Sequence, residues 1–195
     1  MKQALFVDCC VREEQSRTRK MADAFFAALP DTYEVTRLDL MHEGLGPLVG
    51  EYFWERERLI RSGELSHDRF RYARQLAQAN LVVFAAPFWD LGFPALLKIY
   101  IEQVCVDGIT FGYDAQGLHG LCRAEHCVFL TTRGGCYDAQ PELEQGSRYL
   151  DALHTFFGFG GYTCVAADGL DIEGADASAV LERACRQAKE LAMTL

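Results

Sequence analysis

The chain has 195 residues, half of them apolar (50%), and a formal net charge of -9. That length supports one substantial core, and no low-complexity tract interrupts it, so residues 1–195 are expected to form a single globular domain. The acidic balance, with Lys and Arg scattered rather than clustered, argues against nucleic acid or an anionic membrane as the main partner.

Ala4 to Val7 is a short apolar run and reads as the first strand. Asp8 follows too early for a signal peptide, and no apolar stretch reaches membrane-spanning length, so a soluble cytoplasmic protein without membrane insertion is expected. Cys9-Cys10 come next. Adjacent cysteines can serve redox or metal chemistry, but the chain has no C-x-x-C pair among its eight cysteines, and Cys105, Cys127, Cys164 and Cys185 lie in apolar runs. Buried reduced thiols, with Cys9-Cys10 as small residues of a tight loop and no metal site, are the expected state. Met21, Ala24, Phe25, Ala28 and Leu29 mark one face of the first helix before Pro30-Asp31 ends it.

Tyr33 to Leu40 alternates apolar with polar residues, as a strand near a sheet edge does. The segment from His42 to Ser66 is too long for a plain connection; it holds Tyr52-Phe53-Trp54 before a charged run, and an inserted helix is predicted there. A second helix over about His67 to Ala79 leads into Leu81 to Ala86, a continuous apolar run typical of a strand buried on both faces. The turn Pro87-Phe88-Trp89-Asp90-Leu91-Gly92-Phe93 follows, and Pro94 is placed at the first position of the next helix. That helix, to Cys105, is apolar on more than one face, so either a second subunit or the inserted helix must cover the remainder. Cys127 to Thr131 is the fourth strand, roughly Glu142 to Phe157 the fourth helix and Tyr162 to Ala167 the fifth strand. A last helix repeats Leu181, Ala184, Cys185, Ala188, Leu191 and Ala192 at helical spacing. Five strands alternating with helices predict an α/β doubly wound parallel sheet of order 2-1-3-4-5, a flavodoxin-like three-layer sandwich.

In such a sheet the loops after the first, third and fourth strands meet at one edge, where ligands bind. The first carries Gln15-Ser16-Arg17-Thr18 at a helix start, with Arg12 nearby: hydroxyls, free N–H groups and the positive end of the helix dipole favour an anion, although Ser16 as a plain N-cap explains the serine alone. The second is the aromatic turn, suited to a flat ligand. The third is Thr131-Thr132-Arg133-Gly134-Gly135-Cys136-Tyr137. G-x-G-x-x-G and Walker A sequences are both absent, which disfavours Rossmann dinucleotide binding and P-loop chemistry.

Pro87 to Gly92, Pro94-Ala95-Leu96-Leu97-Lys98, Gly108-Ile109-Thr110-Phe111-Gly112-Tyr113 with Gly117 and Gly120-Leu121, Thr132-Arg133-Gly134-Gly135, and Phe157-Gly158-Phe159-Gly160-Gly161 resemble, in that order, the FMN-dependent NADH-azoreductases and related NAD(P)H:quinone reductases. The resemblance implies a homodimer that binds FMN at the sheet edge and passes two electrons by ping-pong hydride transfer from NADH or NADPH to a small quinone, azo or nitroaromatic acceptor. By position it implies that Ser16, Arg17 and Thr18, with Cys10 nearby, hold the phosphate. Pro87, Phe88, Trp89, Asp90 and Leu91 would flank the ring, and Thr132, Arg133, Gly134 and Gly135 would contact its other edge. Tyr137, a loop tyrosine beside glycine, is read either as orienting the acceptor or donating a proton, or as only a cover for the ring. Two residues depart from the pattern. Cys10 replaces a common serine and Asp90 a usual asparagine, and a carboxylate only accepts hydrogen bonds. Arg133 or nearby N–H groups are expected to stabilise anionic reduced flavin and Asp90 to oppose it. The competing readings are a flavodoxin-like electron carrier with FMN but no NAD(P)H turnover, and a flavin-free interaction module that kept the fold.

Overall fold

Seven strands and six α-helices span residues 1–195, all described by the computed structural model. Strands β1 (Lys2–Asp8), β2 (Tyr33–Asp39), β3 (Leu81–Ala85), β6 (His126–Thr132) and β7 (Tyr162–Ala167) form one parallel sheet of order β2-β1-β3-β6-β7. This is the expected 2-1-3-4-5 order, with the hairpin β4 (Phe111–Asp114) and β5 (Gly117–Gly120) lying outside the sheet. Leu38, Val7, Phe84, Phe129 and Cys164 stand in register across all five strands.

Both sheet faces are buried because β1, β3 and β6 are apolar at successive positions. Leu5, Val7, Val82, Phe84, Cys127 and Phe129 pack in one core with Leu76 of α3 (Arg71–Gln78), Leu97, Tyr100 and Ile101 of α4 (Ala95–Val104), and Leu150 and Phe157 of α5 (Gly146–Phe157). Ala4, Phe6, Leu81, Val83, Val128 and Leu130 pack in the other with Met21 and Phe25 of α1 (Arg17–Phe26), and Ala184, Ala188 and Ala192 of α6 (Ala177–Ala192). The alternating β2 is indeed the edge strand, and Leu38 is its only buried residue.

The inserted helix α2 (Gly50–Arg61) falls within the segment expected to hold one. It covers the far end of α4: the Tyr52 hydroxyl donates to Gln103 Oε1 at 3.2 Å, and Arg56 donates to the Cys105 carbonyl. Trp54, in the same aromatic cluster as Tyr52, stays 59% exposed. Pro94 caps α4 from one residue outside it rather than occupying its first position.

The hairpin escaped the sequence reading because its strands have four residues each and, of its large apolar side chains, Tyr113 and Leu118 are exposed while Phe111 alone packs inward, 4.7 Å from the Phe156 ring, so no periodic burial pattern exists. What seats it is backbone contact. A Cβ on Gly120 would lie 2.1 Å from Gly158 N, which only glycine allows.

Candidate functional site

One pocket opens at the carboxyl edge of the sheet, lined by Arg12, Gln15, Ser16, Arg17, Thr18, Pro87, Phe88, Trp89, Thr132, Gly134 and Asp171. Its first wall is the start of α1. Ser16 caps the helix in extended conformation, its Oγ accepting from Arg19 N at 3.2 Å, while the Arg17 and Thr18 N–H groups have no acceptor in the chain. Unpaired N–H groups at a helix start, with the dipole behind them, favour an anion. Thr18 is fully buried, and its hydroxyl lies 2.7 Å from that of Thr132, tying the first loop to the end of β6. One of these hydroxyls must donate to the other, which leaves the second proton for a ligand.

The second wall is the aromatic turn. Trp89 and Gly92 exchange backbone bonds of 3.2 and 2.8 Å around Asp90 (φ 49°) and Leu91 (φ 66°), both left-handed, as in a two-residue hairpin turn. Left-handed leucine is rare and costs roughly 1–2 kcal/mol, so its surroundings must hold it. The Leu91 carbonyl is held by Gln145 N at 2.9 Å, and Phe88 is anchored by its N–H on the Thr132 carbonyl at 3.0 Å. The Asp90, Leu91, Gly134 and Gly135 N–H groups have no acceptor in the chain. Trp89 and Leu91 are exposed beside the pocket.

Behind these walls two residues of the sequence reading, Arg133 and Cys10, sit in the packed interior. The Arg133 guanidinium does not line the pocket; it lies between Glu144 Oε1 and Asp168 Oδ1, each at 3.3 Å, and is 8% exposed. Two carboxylates thus pair with its charge, while its Cζ lies 5.8 Å from the centroid of the Phe88 ring. Burial pushes Asp168 above the usual carboxylate range against the pull of Arg133. Cys10 is also buried, its Sγ 3.8 Å from the Ala85 carbonyl, and burial followed by the Asp8 charge pushes its thiol up. Cys9 packs on the opposite sheet face from Cys10, its thiol pushed up by burial to about 12. Tyr137 packs at a tilt against Phe88, with ring centroids 4.8 Å apart, and lies 3.6 Å from where a Cβ on Gly135 would be.

Two acidic residues at this edge escaped the sequence reading. Asp8, at the end of β1, is fully buried; it accepts from Cys10 N at 3.0 Å and pairs with Arg19 and, at 2.9 Å, with Arg37, which braces the first loop from beneath. Asp171 follows β7 and grips Arg17 at 2.9 Å, and that guanidinium holds its carboxyl below the usual range. The Asp168-Gly169 turn after a buried strand was the available signal, since loops after parallel strands converge on this edge. No group of His, Cys, Asp and Glu is arranged to hold a metal ion, and no helix is long and apolar enough to cross a membrane.

A doubly wound five-stranded sheet, with unpaired helix-start N–H groups and an aromatic turn at its carboxyl edge, defines a flavodoxin-type α/β protein. The chain belongs to the family described as flavodoxin-like fold, which matches residues 2–192. Among its relatives, FMN-dependent NADH:quinone oxidoreductase 2 of Clostridium acetobutylicum is 37% identical over 199 residues, covering 98% of each chain. The FMN-dependent NADH:quinone oxidoreductase of Caldicellulosiruptor saccharolyticus is 34% identical over 185 residues, covering 92% of each. Among solved structures, an azoreductase from Bacillus anthracis superposes with a TM-score of 0.88 at 27% identity over all of both chains.

Proposed function

We propose that this chain is an FMN-dependent NADH:acceptor oxidoreductase acting on quinones and azo compounds. The observation that carries the reading is the single pocket in which an anion-binding helix start meets an aromatic turn, in a chain related along its length to FMN-dependent NADH:quinone oxidoreductases. The donor set fits FMN: unpaired N–H groups and hydroxyls stand at one end for a phosphate, and aromatic faces with unpaired turn N–H groups at the other for a ring rich in acceptors.

Bound FMN supplies reversible two-electron chemistry between a pyridine nucleotide and an acceptor; the protein supplies binding, orientation and electrostatics. Ser16, Arg17 and Thr18 hold the phosphate, and Thr18 with Thr132 fixes the distance between the loops. Pro87, Phe88 and Trp89 flank the ring, while the Asp90, Leu91, Gly134 and Gly135 N–H groups serve its polar edge. Tyr137 supports Phe88 from behind and borders the place where NADH and acceptor alternate. Arg133 acts through structure, holding the third loop between Glu144 and Asp168.

The protein works as a homodimer in this reading. The pocket encloses about 220 Å³, below the roughly 300–1,000 Å³ of sites that bury a drug-sized ligand, so a single chain would leave one side of a bound flavin open. Exposed Trp54, Tyr113, Leu118 and Leu121 provide apolar surface for a second copy to cover that side. Eight free thiols suit a reducing compartment such as the cytoplasm.

The purified protein should be yellow, or become so with FMN, and NADH added without oxygen should bleach it. A colourless protein that takes up no FMN would end this reading. A yellow protein that NADH leaves unbleached would instead be an electron carrier.

A further inference from the structure

The cation best placed for a ligand phosphate is already engaged. Arg17 NH1 and NH2 meet Asp171 Oδ1 and Oδ2 at 2.9 and 3.3 Å, a two-pronged pairing, and NH1 also reaches the Leu170 carbonyl at 3.3 Å. Asp171 is not a chance surface partner. Its loop is strapped along the end of β6 by three backbone bonds: Gly169 N to Gly135 O (3.1 Å), Leu170 N to Arg133 O (3.1 Å) and Asp171 N to Gly134 O (3.0 Å). Its carboxylate rests against Gly134, where a Cβ would come within 2.6 Å of Oδ2. A carboxylate thus lines a pocket whose other polar groups favour anions.

Carboxylates and phosphates use the same fork of guanidinium N–H groups, so both cannot take it in the same geometry. We propose that Asp171 is a built-in stand-in for the FMN phosphate, holding Arg17 in the flavin-free protein and giving it up when the phosphate enters. This rests on the FMN reading above. The exchange favours the phosphate because the Arg17–Asp171 pair is largely solvent-exposed and therefore weak, with Asp171's side chain 64% exposed, and because a phosphate monoester carries the larger charge. Asp171 then subtracts from FMN affinity twice, once through the pair that must break and once through repulsion of the arriving dianion. Riboflavin lacks the phosphate and has no claim on Arg17, so Asp171 is a specificity-determining residue that narrows the preference for FMN over riboflavin and eases FMN release.

The test uses full-length protein freed of flavin, titrated with FMN and with riboflavin by flavin fluorescence, in wild type, Asp171→Asn, Arg17→Gln and the double variant. Asn keeps the shape against Gly134, and Asp171→Ser provides a second neutral replacement. Both single Asp171 variants should bind FMN about three- to tenfold tighter than wild type at low salt, the range set by one weak pair and one screened charge. Riboflavin affinity should stay unchanged, added salt should shrink the gain, and in the Arg17→Gln background the gain should fall to the smaller part that charge repulsion alone supplies. FMN affinity that is equal or lower in both Asp171 variants overturns the proposal, because Asp171 would then be a bystander or would orient Arg17 for the phosphate. Equal tightening of both flavins also overturns it, by showing a loop rearrangement blind to phosphate. If wild type binds neither flavin, the FMN reading itself fails and takes this inference with it.

Discussion

Replacing Gly120 with alanine should unseat the β4–β5 hairpin. The new Cβ would lie 2.1 Å from both Gly158 N and the Phe157 carbonyl carbon and 2.3 Å from the Phe157 oxygen, whereas ordinary contact begins at 3.4 Å. All three atoms are backbone, at the point where α5 ends in left-handed Gly158, so no side chain can rotate away. Hairpin and helix end must part by about an ångström, enough to forfeit much of their dispersion contact. Overpacking typically costs about 1–3 kcal/mol, and a rigid neighbour on each side puts this case at the upper end. For a domain of this size, about 3 kcal/mol lowers Tm by roughly 6–12 °C. Thermal and urea unfolding of Gly120→Ala should be compared with Gly46→Ala, whose Cβ would meet nothing within 4 Å and which should be neutral or slightly stabilising. If Gly120→Ala unfolds within about 0.5 kcal/mol of wild type, backbone contact does not seat the hairpin.

Three further outcomes are expected. Asp90→Asn should raise the two-electron potential of bound FMN by on the order of 10–20 mV, from removal of one screened negative charge near the ring; a redox titration finding the potential unchanged or lower refutes it. Ser16→Ala should weaken FMN about tenfold through loss of a charge-assisted hydrogen bond while sparing riboflavin, and should cost about 1 kcal/mol of stability through loss of the α1 cap; equal loss for both flavins would place Ser16 outside the phosphate end. Arg133→Gln should destabilise the fold by about 3 kcal/mol, because Glu144 and Asp168 lose the cation between them. An unshifted melt with weakened FMN would instead return Arg133 to the flavin.

The layered sheet was legible before any coordinate because its cause is local. Apolar runs at β1, β3 and β6 and helical spacing in α1 and α6 are properties of consecutive residues, and the alternation of Tyr33 to Leu40 carried even the position of the edge strand. The site was legible as three loops for the same reason: parallel strands bring the residues that follow them to one edge, so Ser16, Phe88 and Thr132 meet whatever the details. The β4–β5 hairpin was not, because a close approach of Gly120 to Gly158 leaves no periodic trace in a sequence. Nor was the fate of the charges. Residue type marks Arg17 and Arg133 alike as cations for a phosphate or a reduced flavin. Only the packed chain decides that Arg133 is neutralised by Glu144 and Asp168, and that Arg17 faces the pocket holding Asp171 from 154 positions away. The physical reason is one of range. Burial patterns follow from neighbours along the chain, whereas a charge's work depends on which opposite charge the fold brings within about 3 Å of it, where electrostatic attraction is strongest.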